Sequence, residues 1–468
     1  MTNHLLLPVA GPMQSYWQQE GQKYHDAVGD NIVDLPSSCE VAIVGGGYSG
    51  IATAYHLLHL DHPPASVVLL EAREPCSGAT GRNGGNLRPD LFLGPARLCK
   101  RFEPSAAFEI MQFETDHLSM IKDLIFEEVI DCDFCETTSL LVLTTLDQVA
   151  AAREMYDTLK QAPQFDKTVS NDLTFYVGDD APRRTGMAEA KGYVAMPAAH
   201  LSPYKLLMAL LRRCMDKGLA LKSHTPVLSV RSAGHEGHIL TTETGATTTA
   251  HKVIYATNAY TSALLPEYSN AIIPCKGLAC RIAGPEGKML PGLPTSSILS
   301  MEQDPASDAT GYNYMIQLAD NTIVVGGAHH TYKKGEPESW YNNADDSHTI
   351  EEAQRYFEAD FMQRAFIGWE TTYAQVNQVW TGIMGYSADS LPHIGSIPNR
   401  PGSFVLAGFN GHGMPVIFKA AKELAAMVKQ GLEYEQTALP ALYKTTGERL
   451  ASTRNDILGG RGLKVRGT

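Results

Sequence analysis

From Val41 to Leu60 the chain reads VAIVGGGYSGIATAYHLLHL, twenty residues without an Asp, Glu, Lys or Arg. The apolar positions do not keep one period. Val41-Ala42-Ile43-Val44 is a continuous β-type run, whereas Ile51, Ala54, Tyr55 and Leu58 recur at helical spacing, which predicts strand, tight turn and helix. A membrane helix needs about 20 apolar residues in one piece. Four glycines, three of them consecutive at 45 to 47, argue against that reading.

The same alternation of run, turn and periodic segment returns elsewhere. Ser66-Val67-Val68-Leu69-Leu70-Glu71 reads as a second strand ending in an acid. Phe404-Val405-Leu406-Ala407, then GFNGHGM at 408 to 414, then Ile417 to Leu424 gives strand, glycine turn and helix again. A helix is predicted over 202–217, with strands near 219–223, 226–231, 252–256, 137–144, 279–283 and 321–327. No repeat, low-complexity tract or linker interrupts the chain.

Composition narrows the class. At 468 residues the chain is long for one core, so two lobes are expected. With 44% hydrophobic and 19% charged residues it reads as globular. Lys plus Arg number 38 against 51 Asp plus Glu, a net charge of −13 without a basic run, so no nucleic-acid partner is expected. Eight scattered cysteines fit a reduced chain, and although Cys132 and Cys135 have metal-type spacing, no metal site is expected. The N-terminal apolar patch is short, broken by Pro8 and lacks a basic flank, and the C-terminus matches no targeting tripeptide. A cytoplasmic protein without a membrane segment is the expectation.

The chemistry starts at the first turn. Gly45, Gly47 and Gly50 form G-x-G-x-x-G between a strand and a helix, where the glycines permit the turn, the approach of a pyrophosphate and close helix packing. Glu71, 21 residues after Gly50, is placed to accept hydrogen bonds from ribose hydroxyls. Next comes Gly78-Ala79-Thr80-Gly81-Arg82-Asn83-Gly84-Gly85-Asn86, a second glycine-dense loop where a NAD domain would proceed to a plain βαβ unit. A larger cofactor with a ribityl chain needs such a second cradle, which points to FAD.

These motifs resemble the D-amino-acid oxidase-like family of FAD-dependent amine oxidoreductases, and within it the γ-glutamylputrescine oxidase-like branch. The likeness runs through Ser15-Tyr16-Trp17, VGGGYSG at 44 to 50, GATGRNGG at 78 to 85, Ala199-His200-Leu201-Ser202-Pro203, Thr225-Pro226-Val227 and Ala256-Thr257-Asn258-Ala259-Tyr260. It continues through Trp380-Thr381-Gly382, Asp389-Ser390-Leu391-Pro392 and GFNGHGM. The resemblance implies an α/β fold: a Rossmann-type FAD-binding domain from 1–92, 193–274 and 375–468, and a second α+β substrate lobe on a mixed antiparallel sheet from 93–192 and 275–374.

It also implies where the cofactor touches the chain. Candidate contacts are Gly45, Gly47, Tyr48, Ser49 and Gly50 in the first turn, and Glu71, Ala72 and Arg73 after the second strand. Thr80, Gly81, Arg82, Asn83, Gly84, Gly85, Asn86 and Leu87 follow in the second loop, then Val227, which would read the adenine, with Ala256 and Thr257. Gly411, His412, Gly413, Met414 and Pro415 would face the flavin pyrimidine ring. Catalytic candidates are His412, Arg82, Trp380 and Tyr386, the last two as an aromatic wall that would attract an amine cation. Each has a plain alternative: a turn contact for His412, an ion pair for Arg82, core packing for the aromatics.

Absences refine the expectation. Relatives that bond the flavin covalently use a late cysteine or a histidine in the second loop; here the last cysteine is Cys280 and the loop carries Arg82, so non-covalent FAD is implied. A lysine over the flavin in sarcosine oxidases matches Ile323-Val324-Val325-Gly326-Gly327, which has none, leaving His329, His330 or Lys276 to activate oxygen. The expected reaction is oxidation of a C–N bond of an amine or amino-acid-like small molecule by hydride transfer to flavin N5, with O2 as acceptor. A dehydrogenase using another acceptor, a flavin monooxygenase, and a chain that keeps the fold as a binding component are the alternatives. A monooxygenase would need a late Gly-Asp before a helix, and Gly178-Asp179 stands mid-chain instead.

Overall fold

In the computed structural model the charge-free stretch is strand Ser38–Val44, a turn over 45–47 and helix Tyr48–Leu58. The described residues are 6–22, 34–168, 172–286, 288–303, 310–333 and 335–459. The start of the N-terminal patch and the C-terminal tripeptide lie outside them. The helix has no charged side chain because ten of its eleven residues are buried; His56 is the exception. It packs between helices Pro203–Asp216 and Ile417–Gln430 in one apolar core with the inner face of the first strand.

Two sheets divide the chain. The first has eight strands, with the path His393–Ser396, Ser403–Ala407, Thr247–Tyr255, Ser38–Val44, Val67–Leu70, Ala220–Lys222. Ser38–Val44 pairs in parallel with Thr247–Tyr255 on one side and Val67–Leu70 on the other. Both faces are covered, which accounts for its near-continuous apolar reading. A hairpin of Val227–Ser232 and His238–Thr242 joins through Thr247–Tyr255.

The second sheet has nine strands of mixed direction, among them Cys135–Leu143, Gly192–His200, Ile272–Ala283, Ser297–Gln303, Thr310–Gln317, Ile323–Gly326 and Gln375–Ser387. Two of these depart from the expected division. Gly192–His200, expected almost wholly with the FAD-binding segments, pairs antiparallel along its length with Cys135–Leu143. Gln375–Ser387 likewise pairs along its length with Ile272–Ala283. The reason is hydrogen bonding: a buried strand's amides must find a ladder, and these two find theirs in the second sheet. Among the described residues no helix is long and apolar enough to cross a membrane, and no group of three His, Cys, Asp or Glu is placed to hold a metal ion.

Candidate functional site

The two neighbours of Ser38–Val44 come from opposite directions of the sheet order, so a crevice opens at its carboxyl end. There Gly45 takes φ +110°, donates its N–H to Leu70 O at 2.8 Å, and lies so near Ala256 that a Cβ would sit 2.5 Å from that carbonyl oxygen. A Cβ on Gly50 would stand 1.9 Å from Gly45 O, which shows why the helix can start this close to the turn. The Tyr48 amide donates to Thr80 Oγ1 at 2.8 Å, binding the second glycine loop to the helix N-terminus. Helix amides there favour an anion.

Glu71 is fixed at the edge of this crevice, accepting from the Gly46 amide at 2.6 Å and the Arg73 amide at 2.9 Å. Burial pushes its carboxyl up, with those amides opposing. A cavity of about 1750 Å³ begins here and runs on between the two sheets. Drug-sized ligands occupy clefts of about 300–1,000 Å³, so this one has room for an extended dinucleotide and a second molecule. Its wall includes Gly45, Gly47, Tyr48, Ser49, Glu71, Ala72, Arg73, Thr80, Arg82, Asn83, Gly84, Asn86, Val227, Ala256, Thr257 and the whole turn from Gly411 to Pro415.

Four of the expected contacts stand behind that wall. Gly50 supports the turn; the Gly81 carbonyl accepts the Ser15 hydroxyl; the Gly85 amide donates to Asn83 Oδ1 at 2.8 Å; Leu87 is fully buried in the core. They shape the loop, while Arg82 and Asn86 face the cavity. Arg82 donates to Ser77 O at 2.6 Å and Thr381 O at 2.8 Å and lies 3.5 Å from Asp346, yet its Nη2 has no partner among the described residues. Asn86 Nδ2, Tyr48 Oη and Tyr260 Oη are also buried without a partner among the described residues. Since buried polar groups are otherwise nearly always satisfied, these donors on the cavity wall fit a polar cofactor. Asp346, fully buried, also grips Arg73 through both oxygens at 3.0 and 3.1 Å, tying the 345–347 loop to the nucleotide turn.

The late turn is held from several sides. Asn410, at φ +57°, accepts the Ser387 amide at 2.8 Å and donates to Gly408 O at 3.0 Å. Asn258 Oδ1 accepts the Gly408 amide at 3.0 Å. His412 meets Glu114 through Nε2 at 2.8 Å. Burial opposes charging of His412, but the charge and hydrogen bond of Glu114, with Asp90 beyond, hold it above its ordinary value.

Farther along, the cavity is lined by Arg88, Asp90, Arg97, Tyr312, Tyr314, His329 and Tyr386. Its wall carries eight Lys and Arg side chains against four carboxylates, the reverse of the chain's net charge of −13. Arg88 stands out. Among the described residues its guanidinium meets one hydrogen-bond acceptor, the Met196 thioether at 3.4 Å, and no carboxylate within ion-pair distance.

Trp380 does not belong to this wall. It is fully buried in the core, and its indole donates to Arg82 O at 2.8 Å, so it braces the second loop from behind. Tyr386 alone keeps the aromatic position expected of the pair. Of the three oxygen-activating candidates only His329 lines the cavity; Lys276 and His330 are buried elsewhere. Gly178-Asp179 follows strand Thr174–Val177 on the second sheet and is absent from the wall. Arg88, Asp90, Glu114, Asn258, Asn410 and Asp346 were not singled out from the sequence. Asn258 and Asn410 sit inside the quoted motifs ATNAY and GFNGHGM; the other four carry no local signal.

A parallel sheet with a glycine turn at its switch point, a buried acid on the next strand and a long cavity covered by a second sheet define a dinucleotide-dependent enzyme fold. The family of FAD-dependent oxidoreductases matches residues 40–427, and the chain belongs to it. It is 22% identical over 440 residues to γ-glutamylputrescine oxidoreductase of Escherichia coli K12, covering 90% of this chain and 89% of that one. Its fold is that of glycine oxidase from Geobacillus kaustophilus, with a TM-score of 0.67 at 21% identity over 88% of this chain and 99% of the other. L-proline dehydrogenase from P. horikoshii is similar at a TM-score of 0.64 and 18% identity, covering 86% and 96%. The protein is therefore an FAD-dependent oxidoreductase.

Proposed function

We propose that the protein oxidises the C–N bond of a small amine that also carries a carboxylate, with O2 accepting the electrons afterwards. The observation that carries this reading is Arg88, a cation on the cavity wall with no carboxylate within ion-pair distance among the described residues, Asp90 acting on it only from farther off. A guanidinium takes a carboxylate through two parallel hydrogen bonds. The relatives are named for γ-glutamylputrescine, glycine and L-proline, which share an amine and a carboxylate in one molecule.

Bound FAD supplies the hydride acceptor, N5. The eight-stranded sheet and its helices would hold the nucleotide end, and the nine-stranded sheet, with Tyr314 and Leu278 on the cavity wall, would cover the reacting end. The expected ring contacts from Gly411 to Pro415 would bring His412 and backbone amides near the pyrimidine edge, where negative charge grows on reduction. We also propose that FAD is held without a covalent bond. Cys76 is the one thiol on the cavity wall among the described residues and sits at the nucleotide turn, its amide on Gly46 O. All eight thiols are free, which suits a cytoplasmic setting.

The test is anaerobic mixing of the yellow protein with primary, secondary and cyclic amines, with and without a carboxylate, followed by flavin bleaching. Losing a hydrogen bond to a charged group costs about 1.5–3 kcal/mol, so Arg88→Met should raise KM roughly 10- to 100-fold for carboxylated amines. Equal loss on uncharged amines, or no bleaching by any amine, sinks the reading. Peroxide on readmitting air supports O2. Bleaching without peroxide supports a dehydrogenase, a reading favoured by one observation: Val324 and Val325 on the roofing sheet are fully buried and apolar.

A further inference from the structure

Glu114 is a buried carboxylate that no motif announced. It lies on helix Pro104–Glu127, is 3% exposed, and reaches two separate parts of the site with one oxygen. Its Oε2 accepts the Asp90 amide at 2.7 Å and meets His412 Nε2 at 2.8 Å. Asp90 in turn caps helix Leu93–Cys99, accepting the amides of Leu93 at 2.9 Å and Gly94 at 2.8 Å. One turn along the same helix, His117 accepts the Phe418 amide at 3.0 Å, at the start of helix Ile417–Gln430. The two side chains stand three residues apart, on one face of their helix. They hold the late glycine turn at His412 and the helix that follows it at Phe418.

We propose that Glu114 is a positioning residue: its carboxylate joins His412 in the flavin-binding turn to the Arg88–Asp90 loop, and thereby sets the charge beside the cofactor. The inference rests on the FAD reading of the cavity and not on the amine reading. A buried carboxylate survives only when paired and hydrogen-bonded, and here its partners are the cation of one loop and the amide of the other. The groups facing His412 are Glu114, then Asp90 and Arg88 from the 88–90 loop, with His117 beside it on the helix of Glu114. The two acids outweigh Arg88, which keeps the imidazole charged at higher pH than in solution. Glu114 and His412 together are neutral, so their effect on the flavin is that of a dipole with its positive end in the turn.

The test uses the holoprotein and three variants, Glu114→Gln, His412→Gln and the double change. Flavin potentials are measured against a reference dye with a chemical reductant and no amine, so failure of the amine reading leaves the result intact. With its carboxylate partner gone, burial drives the proton off His412, so Glu114→Gln should disfavour two-electron reduction by threefold or more, and should no longer do so in the His412→Gln background. An unchanged potential, or an equal drop with His412 already replaced, overturns the proposal. A merely structural role for Glu114 would predict that equal drop. Should Glu114→Gln fail to retain flavin, carbon-13 NMR of His412 in the parent protein decides instead. A titration clearly above 6.5 supports the proposal, and one at or below it overturns it.

Discussion

Replacing Asp346 by Asn is the sharpest probe of how the two sheets share the site. The Asp346 side chain is 1% exposed and serves two guanidiniums: Arg73 at 3.0 Å, itself 12% exposed, and Arg82 at 3.5 Å, 1% exposed. Burial opposes the charge on both arginines. For Arg73 the Asp346 hydrogen bonds and charge more than offset it; for Arg82, which Asp346 reaches by its charge alone, burial prevails. Asn keeps the volume and one acceptor but removes the charge, leaving two buried cations facing each other. Breaking a buried pair costs about 3–5 kcal/mol. The lower end applies here, about 3 kcal/mol, because charged groups keep part of their stabilisation through remaining hydrogen bonds. Arg82 retains Ser77 O and Thr381 O, and Arg73 retains Val9 O at 3.3 Å. At about 2–4 °C per kcal/mol for larger domains, Asp346→Asn should melt roughly 6–12 °C lower. Calorimetry at saturating FAD and without FAD separates this loss from loss of cofactor. Asp345→Asn is the control, since Asp345 is 43% exposed and pairs with the exposed His348; exposed pairs contribute about 0–1 kcal/mol. An Asp346→Asn shift no larger than the control's would refute the idea that this carboxylate holds the 345–347 loop onto the nucleotide turn.

Gly45→Ala should yield a folded but colourless protein, because φ +110° and a Cβ 2.5 Å from Ala256 O both oppose it; a retained flavin spectrum with parental affinity would contradict the role given to this turn. Thr80→Val removes the acceptor of the Tyr48 amide, a loss comparable to an N-cap deletion of about 1 kcal/mol, readable as roughly fivefold weaker FAD binding by fluorescence titration. Acid should destabilise the protein through His117 and His393, both at most 1% exposed and pushed down to about 3 by burial. Their folded pKa lies below the unfolded value near 6.5, so the unfolded chain binds more protons and stability falls as pH drops through 6.5. At pH 5 the loss is on the order of 2 kcal/mol per histidine. Urea melts between pH 7.5 and 5 measure it, and since His56 and His200 are also pushed down, to about 3 and about 4, His117→Gln should remove only its own share, on the order of 2 kcal/mol.

The first turn was legible because its evidence is contiguous: a strand, three glycines and a helix lie within twenty residues, and the acid follows at a fixed distance. The late turn was legible for the same reason. Glu114 was not, since nothing in PSAAFEIMQFETDHL marks one acid of a helix as facing a loop 298 residues away. Asp346 and Arg88 share that fate: an Arg or Asp in a loop is ordinarily solvated, and only the packing of the two sheets buries the first and half-buries the second. The strand-to-sheet assignment of Gly192–His200 failed similarly, because an apolar run states that a strand is buried without stating which ladder receives it.

Trp380 and Tyr386 show where periodic reasoning stops. Strand residues two apart share a face, so Trp380, Gly382, Met384 and Tyr386 should all look toward the cavity, and the last three do line it. Alternation fixes the face but not how far along the strand the opposing loop lies. The second glycine loop crosses near the Trp380 end: a Cβ on Gly382 would touch Arg82 Cβ at 3.2 Å, and the Trp380 indole reaches Arg82 O. Past that crossing the same face is core. The aromatic nearer the start of the strand therefore sets the position of Arg82, and the one six residues on is left lining the cavity.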